Sequence, residues 1–179
     1  MDDAFRLAAE RACERLVIAY THLIDFGEAA QVADLFTEDG VWESDKQRVS
    51  GRDQIKAGFV ARQNNTRRTS RHVCTNIAIE VVSETEATGI TYLTLYRHDG
   101  DHVKRGAPLN GPMLLGEYYD RFVLTREGWR IAHRRVKVAF ARVSTTSDSR
   151  VERHDIAGEG GTAHKGDIVL HSSIRVHIE

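Results

Sequence analysis

Near residue 70 the hydrophobic period of this chain changes from that of a helix to that of a strand. That switch limits the fold more than any other feature. Before it, Phe5, Ala9, Ala12, Leu16, Tyr20 and Leu23 recur at helical spacing, which predicts a helix over about residues 3–24. Gly27 permits the turn that follows. A short second helix is expected over 29–36, then a turn at Thr37-Glu38-Asp39-Gly40 and a short strand from Val41. Ser50-Gly51-Arg52-Asp53 has the form of a capping box, and Ile55 and Phe59 mark a third helix over 52–63. After the switch, 71–82, 86–98, 112–125 and 128–142 read as four strands, parted by turn signals such as Asp99-Gly100-Asp101. Helices followed by hairpin-linked strands define an α+β class. The expected architecture is a cone: a curved antiparallel sheet wrapped around three N-terminal helices, with a small-molecule pocket at its mouth.

Composition narrows the partners. The chain has 179 residues, 41% hydrophobic and 28% charged, with a net charge of −1. No basic surplus exists to neutralise phosphates, so nucleic acid is an unsuitable partner. No apolar run reaches the ~20 residues of a membrane helix. The acidic start, Met1-Asp2-Asp3, is neither a secretory signal nor a transit peptide. Cys13 and Cys74 fall within the helix and strand patterns, as reduced core residues of a cytoplasmic protein would.

Two polar residues in apolar surroundings carry the chemistry. Asp25 closes the first helix and His72 opens the first long strand. A carboxylate that accepts from one imidazole nitrogen fixes the tautomer and leaves the other nitrogen to move protons near neutral pH. The bland alternatives are a solvated acid at a helix end and an exposed histidine at a strand start. For Tyr20 the alternative is core packing, since it sits in the apolar stripe; residues five apart on a helix are ~140° apart, so it shares a pocket with Asp25 only if the helix ends there. Period 2 puts Cys74 and Asn76 on the face of His72. Asn76 either orients substrate or satisfies backbone. In the last strand Trp129, Ile131, His133 and Arg135 share one face and Arg130 and Arg134 the other, and the pattern does not say which is inward. His98 and His102 are four apart, but a turn signal between them denies the helical geometry of a metal pair, so neither metal nor cofactor is expected.

Tyr20-Thr21-His22-Leu23-Ile24-Asp25 followed by Asp34-Leu35-Phe36-Thr37-Glu38-Asp39-Gly40-Val41-Trp42 resembles the start of SnoaL-like proteins of the NTF2-like superfamily. The resemblance continues at Gly51-Arg52-Asp53-Gln54-Ile55, Arg71-His72-Val73-Cys74-Thr75-Asn76 and Gly128-Trp129-Arg130-Ile131, and covers roughly residues 5–142. It implies a cone-shaped fold with a deep pocket, shared by scytalone dehydratase, bile-acid dehydratase, ketosteroid isomerase, polyketide cyclases and many non-catalytic binding domains. In the dehydratase branch a Tyr and an Asp on the first helix face a His from the sheet; Tyr20, Asp25 and His72 hold the matching positions. The catalytic set expected is therefore Asp25, His72 and Tyr20, with Trp42, Asn76, Tyr118, His133 and Arg135 as substrate-binding candidates. The expected activity is that of a cofactor-independent lyase or isomerase on a small hydrophobic cyclic substrate. The alternatives are a non-catalytic binding domain, the small subunit of a ring-hydroxylating dioxygenase, and an epoxide hydrolase using Asp25, Asp120 and Arg135.

The resemblance ends near 143. Residues 144–166 are polar, and Ile174, Val176 and Ile178 alternate beyond them. This divides the chain into a domain over 1–143 and a linker with a strand-like tail over 144–179. The tail is expected to cover a sheet edge or pocket mouth of a neighbour, within the homodimer or homotrimer that the resemblance implies.

Overall fold

The computed structural model describes residues 1–101 and 106–142. The expectations for 144–179, and for His102, lie outside the described residues. Helix α1 spans Asp3–Asp25, and Ala29–Leu35 form a 3-10 turn. Strands β1 (Phe36–Ser44) and β2 (Gln47–Ser50) make a hairpin, and α2 covers Arg52–Gln63. Strands β3 (Arg68–Val81), β4 (Glu86–Asp99), β5 (Leu114–Thr125) and β6 (Gly128–Ala141) complete an open six-stranded sheet in the order β2-β1-β6-β5-β4-β3. The α+β class is as expected. The sheet is mixed rather than antiparallel, because β1 runs parallel to β6.

Both ends of α1 have local causes. The Asp2 carboxylate accepts from the Phe5 N–H at 2.7 Å, a side-chain N-cap. At the other end Gly27 takes φ +91°, and the Glu28 N–H donates back to the Leu23 carbonyl at 2.8 Å. That bond, spanning five residues, is half of a Schellman stop, and it makes Asp25 the last helical residue. The buried stripe is Ala9, Cys13, Val17, Tyr20 and Ile24, one step round from the predicted one; Phe5, Ala12, Leu16 and Leu23 are its half-buried flanks. It packs on β3 and β6 over Phe36, Ile55, Phe122 and Ile131, each of which contributes about 1.5–3 kcal/mol by leaving water.

Two local expectations are corrected. Thr37–Gly40 does not turn the chain but bulges inside β1: Phe36 pairs with Ile131 and Val41 with His133, so β1 carries extra residues. A Cβ on Gly40 would lie 2.9 Å from the Phe36 side chain and the Thr37 carbonyl, which explains glycine there. Ser50 does not cap α2. Its backbone is paired with Val41 in β2, so the N-cap is Gly51 at φ +91° with no side-chain cap bond. Strand β2 itself is too short to show a period. No helix among the described residues is long and apolar enough to cross a membrane.

Candidate functional site

The cross-strand register decides which side chains face the helices. His72 pairs with Leu95, Cys74 with Leu93, Tyr118 with Val136, Asp120 with Arg134, and Trp42 with Arg134. Directly opposed residues share a face. Their burial, together with the contacts of Tyr20 and Phe59, makes this the helix-covered face.

Asp25 leaves the end of α1 and meets β3. Its Oδ1 accepts from the Ser70 hydroxyl and from His72 Nδ1, and its Oδ2 from the His72 backbone N–H, each at 2.7 Å. The side chains are 4% and 12% exposed. An ionised carboxylate only accepts, so His72 donates through Nδ1, and whenever the ring is neutral Nε2 carries the lone pair. Burial opposes ionisation of Asp25, but His72 and the Ser70 hydroxyl outweigh it and hold the carboxyl below its ordinary value of 3.8. The sign follows: the native value lies below the unfolded one, so the stabilisation is complete above about pH 4 and lost as pH falls through the native value. A carboxyl-detected NMR titration should show Asp25 titrating below the ordinary value, and Ser70→Ala should raise its midpoint. A midpoint at or above the ordinary value would contradict this environment.

Tyr20 belongs to a different group on the same face. Its hydroxyl accepts from Trp42 Nε1 at 2.9 Å, and its ring packs edge-on against Phe59 and Tyr118. Burial pushes its phenol up to about 12, against the lowering effects of Arg134 and Trp42. The Arg134 guanidinium lies between the rings of Tyr20 and Tyr118, 4.2 and 4.3 Å from their centroids. It donates to both oxygens of Asp120, from Nε at 2.8 Å and Nη2 at 2.6 Å. Neither side chain of this pair is exposed, and Arg134 Nη1 has no hydrogen-bond partner among the described residues.

Asn76, His133 and Arg135 are placed elsewhere. The β3–β4 register slips between Thr75 and Ala78, and Asn76, at φ 49°, is the exposed residue of that bulge. The period of 2 therefore fails before it reaches Asn76. A second slip between the Phe122–Ile131 and Arg121–His133 pairs inserts Ala132 into β6. Trp129 and Ile131 stay inward, but beyond the bulge Arg134 and Val136 take the inner face. His133 and Arg135 turn to the outer side, 3.4 and 3.5 Å from Glu43. That reverses the expectation for both and removes Arg135 from any pairing with Asp25.

A cavity of about 480 Å³ reaches the neighbours of the Asp25–His72 pair, Leu95 and Arg62, though neither Asp25 nor His72 lines it. Ile55, Gly58, Phe59 and Arg62, one face of α2, form one wall; Trp42, Val49, Leu95 and Arg97 form others. Leu95 is the cross-strand partner of His72. Arg62 donates to the Ser70 hydroxyl at 3.1 Å and to the Ile24 carbonyl at 3.4 Å. A second cleft, about 430 Å³, borders Asp25 itself, with Phe26, Arg62 and Arg71. Among the described residues no group of three or more His, Cys, Asp or Glu side chains is placed to hold a metal ion.

This chain belongs to the SnoaL-like domain family, whose match spans residues 6–135. Among solved structures it is similar to a candidate scytalone dehydratase from Novosphingobium aromaticivorans, at 24% identity and a TM-score of 0.67, over 79% of this chain and 91% of that one. It is also similar to a single-residue variant of Rv3472, a function-unknown protein from Mycobacterium tuberculosis, at 26% identity and TM-score 0.60, over 81% and 84%. A third neighbour, from the same Novosphingobium, is the beta subunit of a candidate aromatic-ring-hydroxylating dioxygenase, at 18% identity and TM-score 0.63, over 79% and 95%. No curated protein matches the chain.

Proposed function

We propose that this protein is a cofactor-independent lyase or isomerase that moves a proton next to a carbonyl of a cyclic, largely hydrophobic substrate. One observation carries the reading: a buried carboxylate accepts from His72 Nδ1 at 2.7 Å, so that Nε2 is the free base. His72 removes the proton α to the carbonyl, and Asp25 stabilises the imidazolium that forms. Loss of the β-hydroxyl, which takes the proton back from the imidazolium and leaves as water, completes a dehydration; return of the proton at another carbon completes an isomerisation. Tyr20 sits behind Trp42 and positions that wall of the cavity, a smaller part than the donor role expected for it. The dehydratase name of one neighbour supports the class of reaction. The dioxygenase subunit offers a non-catalytic alternative on the same fold, but a non-catalytic subunit has no need of an oriented, half-buried imidazole. The test is a thermal-shift screen of steroids, aromatic polyketides and terpenoids, then product analysis of those that bind. Dehydrated or double-bond-shifted product is expected; binding without conversion in every case would mark a ligand-binding protein.

The same reading includes a cytoplasmic homodimer or homotrimer. Val73, Thr94, Leu115 and Phe140 form one row across four strands on the outer sheet face. Val73, Leu115 and Phe140 are exposed there, with Tyr92 beside them. Covering such a row favours association. Light scattering should return twice or three times the chain mass, and Phe140→Glu with Leu115→Lys should reduce it to one. A wild-type mass of one chain would overturn this assembly.

A further inference from the structure

The cavity that Leu95 and Arg62 line has both apolar and cationic walls. Trp42, Ile55 and Phe59 supply apolar walls, with the Trp42 and Phe59 rings edge to face, and Arg62, Arg68 and Arg97 supply the cationic part. Asp99 is the acid that these arginines share: Arg68 donates to it through Nε and Nη2, and Arg97 through the same two atoms. That binding holds the Asp99 carboxyl down to about 2, so it stays ionised. The other acid in reach is Asp25, whose oxygens are already occupied by Ser70 and His72. Against three guanidinium groups stand two carboxylates, which leaves one positive charge at the cavity wall. The Arg62 guanidinium is pushed below its ordinary value, first by burial and then by repulsion from Arg68 and Arg97, as an excess of positive charge requires. Among the described residues Arg62 donates to protein acceptors through Nη2, to the Ile24 carbonyl and the Ser70 hydroxyl.

We infer that the ligand of this cavity is a monocarboxylate: a fused-ring or cyclic body against Trp42 and Phe59, and a carboxylate held by Arg62 and Arg97. Guanidinium groups bind carboxylates through paired, charge-assisted hydrogen bonds, and a partly desolvated cluster with an excess of positive charge favours an anion over a neutral oxygen. This inference rests on the proposed function only in naming the substrate class of the same site, since it concerns binding and not proton transfer.

Calorimetry with matched pairs tests it: naphthylacetate against naphthylacetamide, and phenanthrenecarboxylate against phenanthrenecarboxamide. The acid of at least one pair should bind about tenfold or more tightly than its amide, the worth of a charged hydrogen bond. Arg97→Gln and Arg62→Gln should each erase that preference by weakening acid binding more than amide binding, and Arg62→Lys should retain part of it. A panel in which no acid binds more tightly than its amide overturns the inference, as does a preference that survives both glutamine variants. The probe acids carry no β-hydroxyl to lose, so their binding tests this inference alone, while the product screen above tests the catalytic reading.

Discussion

Replacing His72 by alanine should lower turnover about 10²-fold or more and leave the fold intact, as loss of a positioned general base does. The ring is 12% exposed and anchored through one nitrogen, so its removal leaves a small void at the edge of the core and not in its centre. Asp25→Asn should cost as much by a different route. With the amide nitrogen in the Oδ1 position, the side chain donates to His72 Nδ1 and forces the hydrogen onto Nε2, where the base must be free. With the nitrogen in the Oδ2 position it faces the His72 backbone N–H, donor against donor. Tyr20→Phe loses only the acceptor for Trp42 and should cost much less. Turnover of a found substrate, with melting curves for each variant, checks all three. An undiminished rate in His72→Ala would remove it as the base.

The largest loss of stability should come from Asp120→Ala. It strands the Arg134 guanidinium, fully buried, between two tyrosine rings. Removing one partner of a buried ion pair costs about 3–5 kcal/mol because the other charge cannot regain water. Thermal melting should shift down by roughly 10 °C or more. Asp120→Leu with Arg134→Met should recover most of the loss, since two apolar side chains of similar bulk need no partner. A melting temperature unchanged in Asp120→Ala would mean that the guanidinium finds solvent, against the packing seen here.

The long elements were legible because periodicity is a property of many residues at once. Thus α1, α2 and the four long strands fall within a few residues of the expected bounds. What failed depended on single insertions. The bulges at Asn76 and Ala132 each reverse the facing of the residues beyond them, which moved Asn76, His133 and Arg135 out of the expected set and brought Arg134 in. No repeat marks a bulge, but charge alternating with aromatics does leave a trace: Tyr118, Asp120 and Phe122 share one face, and an acid there requires a buried partner. Ser70 stands just before the expected strand over 71–82, but β3 begins at Arg68, which puts Ser70 on the face of His72. Arg62 completes the spacing of Ile55 and Phe59 on α2. The approach of Asp25 to His72 could not be read from spacing, because it depends on where α1 stops and on how β3 meets it.

Proton exchange tests the central claim most directly. Cyclic ketones and keto acids that bind should be incubated in heavy water and followed by proton NMR at the carbon next to the carbonyl. The wild-type protein should replace that proton with deuterium well above the uncatalysed rate, and His72→Ala and Asp25→Asn should do so about 10²-fold more slowly or less. Exchange at the uncatalysed rate for every bound compound, or exchange that persists in His72→Ala, would contradict it.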